Sequence, residues 1–238
     1  MYNEIYDSKA IRNENSDFTD FVIPHLRADH SVADFGCGTC RKVIKFAPHV
    51  NNIVAIDRNE SMLKQATQSL EKNHINNVRL FLGDNMNTPF RSHSFDVCTT
   101  ALSTWSNAEA HRLLKDGGSF FIETLSPDDK SEIKLAFGDD ESGARGYLFA
   151  QSVDERLHYL LTALGAFFEV EQVRRTEKKT VLSTDGFVDL LEVTPTIRGF
   201  SIEKDKDIVK ELSSGGSVAF TERRIMIKAR AKNIGSAK

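Results

Sequence analysis

Five short apolar runs in the first half of the chain, with helical stretches among them, limit the fold more than any other feature. They are SVADF (31–35), NIVAID (52–57), VRLFL (78–82), SFDVCTT (94–100) and GSFFIETL (118–125). Runs of this length, rich in Val, Ile and Phe and bounded by glycine or polar clusters, read as buried strands. NESMLKQATQSLEKN (59–73) and NAEAHRLLK (107–115) have helical periodicity, the second stopped by a turn at Asp116-Gly117-Gly118. SDFTDFVIPHLR (16–27) sets Phe18, Phe21, Val22 and Leu26 on one face of a short amphipathic helix. Strands alternating with helices predict βαβ units, right-handed crossovers and a parallel sheet covered on both faces.

The second half is less regular. Residues 126–151 are polar and resolve into no single element, whereas 152–167 read as a helix ending at Gly165. FFEVEQVRR (167–175) and KKTVLS (178–183) read as strand, one long or one bent. DGFVDLLEV (185–193) reads as a helix up to Thr194-Pro195, and 217–231 contain a final strand. No linker separates a second domain, so the expectation is one α/β domain over 1–238, with a helical cap at 1–30 and insertions at 126–151 and 184–217.

Composition excludes some classes. Lys and Arg number 31 against 34 Asp and Glu, a formal charge of -3, which argues against coating nucleic acid by charge alone. No apolar run approaches the roughly 20 residues that span a bilayer. The first residues carry acids and amides where a signal peptide needs an apolar core, and three cysteines are too few for a disulfide framework. The expected location is therefore cytoplasmic, with no membrane partner.

The chemistry gathers at the strand ends. The first strand runs into Asp34-Phe35-Gly36-Cys37-Gly38-Thr39-Cys40, and the next ends at Asp57. Glycines at 36 and 38 permit close backbone approach to a ligand, and a carboxylate at 57 can accept both hydrogen bonds of a ribose diol. Gly83-Asp84-Asn85 follows the third strand, where the acid can accept from an adenine amine while the Asn85 backbone reaches the ring nitrogen. A nicotinamide fingerprint wants a third glycine at 41, and this chain has Arg41; a pyrophosphate would also meet Asp34. A cationic sulfonium with an amino group suits the loop better.

On these residues the sequence resembles the class I S-adenosylmethionine-dependent methyltransferases. VADFGCGTC is similar to their glycine-rich motif, AIDRNESML to the ribose-binding acid and helix, and LFLGDN to the adenine site. FDVCTT and LLKDGGSFFIET resemble their fourth and fifth strand segments. The resemblance covers residues 31–125 and implies a Rossmann-like doubly wound, mostly parallel sheet with a final antiparallel strand. It implies S-adenosylmethionine as cofactor and no metal. Gly36, Cys37 and Gly38 would contact its methionine and ribose parts, Asp34 its amino group and Asp57 the ribose. Arg58 and Met62 would flank adenine, Gly83, Asp84 and Asn85 would bind its edge, and Thr99 and Thr100 would lie near the methyl. Tyr6 would close over the cofactor. Cys40 stands where the family often has a third glycine.

A small-molecule acceptor is expected, since CTTALSTW after the fourth strand has no Asn/Asp-Pro-Pro-aromatic motif and no Pro-Cys nucleophile or acidic metal cluster appears. Residues 126–151 and 184–217 would select it. The alternatives are an RNA acceptor and a module that binds the cofactor without turnover. The first draws on basic terminal strands (Arg174, Arg175, Lys178, Lys179, Arg223, Arg224, Lys228, Arg230) and on LLEVTP (190–195), which resembles a late segment of ribosomal-RNA guanine-N1 methyltransferases. The ordinary reading of those charges is a solvated sheet edge. Cys37-x-x-Cys40 lacks further ligands for a zinc site. Trp105 is either a pocket wall or a surface cap, and His111 and His158 are packed or solvated helix residues rather than bases.

Overall fold

The computed structural model describes residues 10–11, 18–146 and 152–233. Tyr6 lies outside the described residues. In chain order the strands are β1 (Ala10–Ile11), β2 (Ser31–Phe35), β3 (Asn52–Asp57), β4 (Val78–Leu82), β5 (Phe95–Ala101), β6 (Leu114–Leu125), β7 (Asp139–Asp140), β8 (Gly143–Ala144), β9 (Phe168–Ser183) and β10 (Ser217–Ala231). The helices are α1 (Phe18–Val22), α2 (Arg41–Phe46), α3 (Glu60–Lys72), α4 (Asn107–Leu113), α5 (Ser131–Ala136), α6 (Val153–Gly165), α7 (Thr184–Val193) and α8 (Ile202–Leu212). None of these helices is long and apolar enough to cross a membrane.

The chain divides into two compact units. Of the described residues, the larger comprises 18–125, 157–175 and 225–233; the smaller comprises 10–11, 126–146, 152–156 and 176–224. Strands β9 and β10 contribute one part to each.

In the larger unit the strand order is β9-β10-β6-β5-β2-β3-β4. The pairs β2–β3, β2–β5, β3–β4 and β5–β6 are parallel. β10 runs antiparallel to β9: the Lys232 amide donates to the Phe167 carbonyl at 3.0 Å, and Lys228 and Arg230 both pair with Glu171. Successive strand residues point to opposite faces, and the sequence exploits this. Ala33, Phe35, Ile56, Cys98, Phe120 and Ile122 join one core cluster with Leu113 of α4 and Leu160 and Leu164 of α6. Val32, Ile53, Ala55, Val97 and Phe121 join the other with α1, α2 and α3. Both faces are thus covered, as a parallel sheet requires. The α3 N-terminus is fixed by Asn59, whose side chain accepts from the Ser61 and Met62 amides.

One expected feature is corrected. The Asp116-Gly117-Gly118 segment is no stop between helix and strand, because β6 already begins at Leu114. Leu114 faces Phe95 and the next pair is Ser119 with Val97, so Lys115–Gly118 bulge out opposite Asp96. Gly117 takes φ +71°, and the Lys115 ammonium reaches both Asp96 oxygens at 2.9 Å.

In the smaller unit β1 pairs antiparallel with the end of β9, Ala10 against Leu182 and Ile11 against Val181. The polar stretch after β6 forms α5 and the β7–β8 hairpin. Its core joins Ile133 and Phe137 to Phe187, Leu190 and Leu191 of α7, Val209 of α8, and Val218 and Phe220 of β10.

Candidate cofactor site

The carboxyl ends of β2, β3, β4 and β5 form one rim of the larger unit. After β2 the chain turns sharply: the Gly36 and Cys37 amides both donate to the Ile56 carbonyl, at 2.8 and 2.9 Å. Gly36 has φ +75°, and a Cβ there would stand 2.0 Å from the Ser103 hydroxyl oxygen, so no side chain fits. The Gly38 amide donates to Asp57 Oδ2 at 2.8 Å and the Asn59 amide to Oδ1 at 2.9 Å. Asp57 is locked in place by the very loop it faces, and each of its oxygens keeps a further lone pair. Cys40 has φ +62° and caps α2. A left-handed conformation costs a non-glycine residue about 1–2 kcal/mol, which is why a glycine would be at home in its position.

Asp34 is buried and accepts a hydrogen bond from Thr99 Oγ1 at 2.5 Å. Burial pushes its carboxyl up to about 6, against the pull of the Thr99 hydroxyl and the Lys42 charge, with Asp57 adding to the rise. The Lys42 ammonium is itself paired with Glu123 at the end of β6. A cation brought close to so weakly compensated a carboxylate would favour its ionised form. Cys37 and Cys98 are poor nucleophiles: contact with Cys40, burial and nearby acids raise Cys37, and burial raises Cys98.

On the far side of the rim, Asn85 is buried, and its Nδ2 donates to the Thr104 carbonyl at 3.2 Å and toward the Ser103 hydroxyl at 3.4 Å. Its Oδ1 is buried without a partner among the described residues. An orphaned acceptor of this kind costs about 1–3 kcal/mol unless a ligand supplies a donor. Asp84 is exposed beside it and accepts from the Met86 amide at 3.0 Å. Leu102, just past β5, holds φ +54° although its side chain is large and 45% exposed. Strain in a bulky residue at a strand end is a mark of functional sites.

Gly36, Cys37, Gly38, Asp57, Gly83, Asp84 and Asn85 therefore come together on one rim, with exposed Arg58 and half-buried Met62 at the start of α3. Thr99 and Thr100 are fully buried; the first holds Asp34 and the second donates to the Phe35 carbonyl at 3.2 Å. Trp105 packs on the core, its Nε1 donating to Asn107 Oδ1 at 2.8 Å, the arrangement of a cap. His111 donates from Nε2 to the Lys232 carbonyl at 2.8 Å and lies against Phe167 and Phe168, and His158 is exposed.

Sequence reasoning missed the Lys42–Glu123 pair, although a lone acid in an apolar strand was a signal. It also missed a brace behind the rim. Glu109 Oε1 accepts from the Thr88 amide and hydroxyl at 2.8 and 2.6 Å, and Arg112 donates to Glu109 and to the Thr88 and Phe90 carbonyls. The brace fixes the loop that carries Asp84 and Asn85. The i, i+3 spacing of Glu109 and Arg112 was the available clue.

Residues 32–118 match a family model described as a methyltransferase domain. The matched segment is thus a methyltransferase domain, and on it the chain is similar to the class I S-adenosylmethionine-dependent methyltransferases. An uncharacterized methyltransferase, YcgJ of Bacillus subtilis, is 27% identical to it over 135 residues, 53% of each chain. The biotin biosynthesis bifunctional protein BioHC of Teredinibacter turnerae is 30% identical over 209 residues, 82% of this chain and 32% of that protein. A demethylmenaquinone methyltransferase of Staphylococcus haemolyticus is 30% identical over 114 residues, 43% of this chain and 47% of that one. The chain thus spans about half the length, or less, of these curated relatives. The crystal structure of YcgJ superposes with a TM-score of 0.62 at 19% identity, over 90% of this chain and 98% of that one, which establishes the methyltransferase fold.

Proposed function

We propose that this methyltransferase moves a methyl group from S-adenosylmethionine to a small-molecule acceptor. The observation that carries the cofactor assignment is the orphaned Oδ1 of Asn85 on the same rim as Asp57 and Asp34. An adenine amine supplies the donor that Oδ1 lacks, with Asp84 beside it and Gly83 keeping the approach open. Asp57 accepts from the ribose diol. Asp34, held by Thr99, faces the cofactor's ammonium, whose charge stabilises the ionised carboxyl against its burial. Gly36, Cys37 and Gly38 line the methionine and ribose portions, Arg58 and Met62 flank the ring, and Thr100 backs the methyl end. Tyr6 closing over the ligand belongs to the same proposal.

Bound there, the cofactor supplies an electrophilic methyl carbon, transferred in line as the carbon–sulfur bond breaks onto sulfur. The protein's task is alignment and exclusion of water, so a strong base is not required when the acceptor is already nucleophilic. The small-molecule reading is supported by relatives named for biotin and menaquinone chemistry. We assign acceptor choice to residues 126–151 and 184–217. Three free cysteines fit the reducing cytoplasm.

The RNA reading loses part of its basis, because four of the eight basic strand residues are engaged with acids: Arg223 with Glu132 and Glu177, Arg224 with Asp129 and Glu222, Lys228 and Arg230 with Glu171. Incubation with methyl-labelled S-adenosylmethionine plus either a metabolite extract or total RNA tests the choice. Label in small molecules supports the proposal; label in RNA alone overturns it.

A further inference from the structure

One buried ion pair beside the cofactor rim serves none of the roles above. Glu123, near the end of β6, is buried, and its carboxylate holds the Lys42 ammonium. The sheet register brings this pair close to Asp34. Asp34 on β2 faces Thr99 on β5, and Thr99 faces Phe121 on β6, so the three stand in one row across the sheet. Side chains alternate along a strand, which returns Glu123 to the face of Phe121, one step nearer the carboxyl rim. Val32, Val97 and Phe121 mark this face, and α1, α2 and α3 cover it. Lys42 belongs to α2, in that cover.

The two acids on this face differ in what they hold. Glu123 has the ammonium, which the Phe18 ring steadies from a second side at 5.1 Å. Asp34 has the Thr99 hydroxyl at 2.5 Å and feels Lys42 through space. Among the described residues, Asp57 at the end of β3 opposes ionisation of Asp34, and the nearby Cys37 and Cys98 thiols are held protonated. One ammonium on a flexible stem thus stands between two carboxylates, and its position decides which of them the chain neutralises itself. Bonded to Asp34, it would take the ground that a ligand's cation needs.

We propose that Glu123 is a positioning residue for cofactor binding: by holding Lys42 it keeps Asp34 open to the cofactor's ammonium. Glu123 acts through Lys42 and touches no ligand in this role. The inference rests on the proposed meeting of Asp34 with that ammonium.

E123Q tests it, because glutamine keeps the shape of the side chain and loses its charge. Lys42 should then shift toward Asp34. In calorimetry at pH 7.5, E123Q should bind S-adenosylhomocysteine about tenfold more weakly than the parent. K42M/E123Q, which removes the competing ammonium as well, should bind within about threefold of the parent. Weak binding in both variants would mean damage to the fold and would overturn the role. The ligand-free protein gives a second readout. The carboxyl NMR resonance of Asp34, identified by its loss in D34N, should titrate near 6 in the parent and in K42M/E123Q, and at about 5 or lower in E123Q. E123L replaces E123Q if the amide variant does not fold. Unchanged affinity or an unchanged Asp34 midpoint in E123Q overturns the role of Glu123 and leaves the cofactor reading intact. A parent chain that binds no S-adenosylhomocysteine overturns both.

Discussion

Two buried aspartates, one in each unit, titrate in opposite directions. Burial pushes Asp34 of the larger unit up to about 6, since among the described residues a threonine hydroxyl is its one hydrogen-bond partner and Lys42 is already paired with Glu123. Burial also works against Asp129 of the smaller unit, yet Arg224 and Lys130 outweigh it and hold that carboxyl below its ordinary value. The difference separates a carboxylate compensated within the chain from one that, on the proposed function, a ligand's cation compensates. Asp129 has its cations built into the chain, whereas Asp34 leaves room for one to come.

The largest effects test whether the two units have separate cores. Phe120 is fully buried between Phe35 and Phe168, ring centroids 6.3 and 5.4 Å away, so F120A should destabilise the larger unit by about 3–5 kcal/mol. L190A, in the core of the smaller unit, should cost about 2–4 kcal/mol there. Hydrogen exchange resolved by segment reads both, and equal loss of protection in both units from either variant would merge the cores.

Next comes the ligand-facing rim. On the proposed assignment D57A removes a ribose acceptor, and it releases the Gly38 and Asn59 amides, so cofactor affinity should fall by about 2–3 kcal/mol in calorimetry. Unchanged affinity would mean that the loop, and not the acid, holds the ligand.

The comparison of the two aspartates sharpens through pH. A carboxyl raised from 3.8 to about 6 contributes stability below pH 3.8 that is lost as pH rises through 6. Its ionised form is also the one that binds a cation, so cofactor affinity should fall by up to about tenfold per pH unit below 6. D34N should raise the stability of the ligand-free protein at pH 7 by about 1–2 kcal/mol and flatten both profiles between pH 5 and 7. Asp129, being depressed, contributes stability above 3.8 that is lost as pH falls through its folded value. An acid limb that D34N does not alter would contradict the account of Asp34.

The smallest effect concerns the brace. E109Q should weaken cofactor binding by about 1 kcal/mol through the loop of Asp84 and Asn85 and should also lower the melting temperature, because the bonds from Arg112 and Thr88 lose their charged acceptor.

Much of the larger unit was legible in the sequence. The strands at 31–35, 52–57 and 78–82 stand at the residues their apolar runs marked, because a strand buried on both faces leaves an unbroken hydrophobic signature. The acids at 34, 57 and 84 were legible for the complementary reason: a charge at the end of such a run has few structural uses. The start of β6 was not, because a bulge and a turn draw on the same Asp-Gly-Gly chemistry and only the partner strand distinguishes them. Nor was the charge cluster of the smaller unit. Asp129 and Arg224 are 95 residues apart, and a lysine in a polar stretch looks the same whether it meets solvent or a core.

The account rests most directly on what the strand-end rim binds. Calorimetric titration of the cofactor-free protein at pH 7.5 with S-adenosylmethionine, S-adenosylhomocysteine and NAD should give roughly micromolar dissociation constants for the first two and no heat for NAD. Binding of NAD, or of none of the three, would contradict the assignment of Asp34, Asp57 and Asn85.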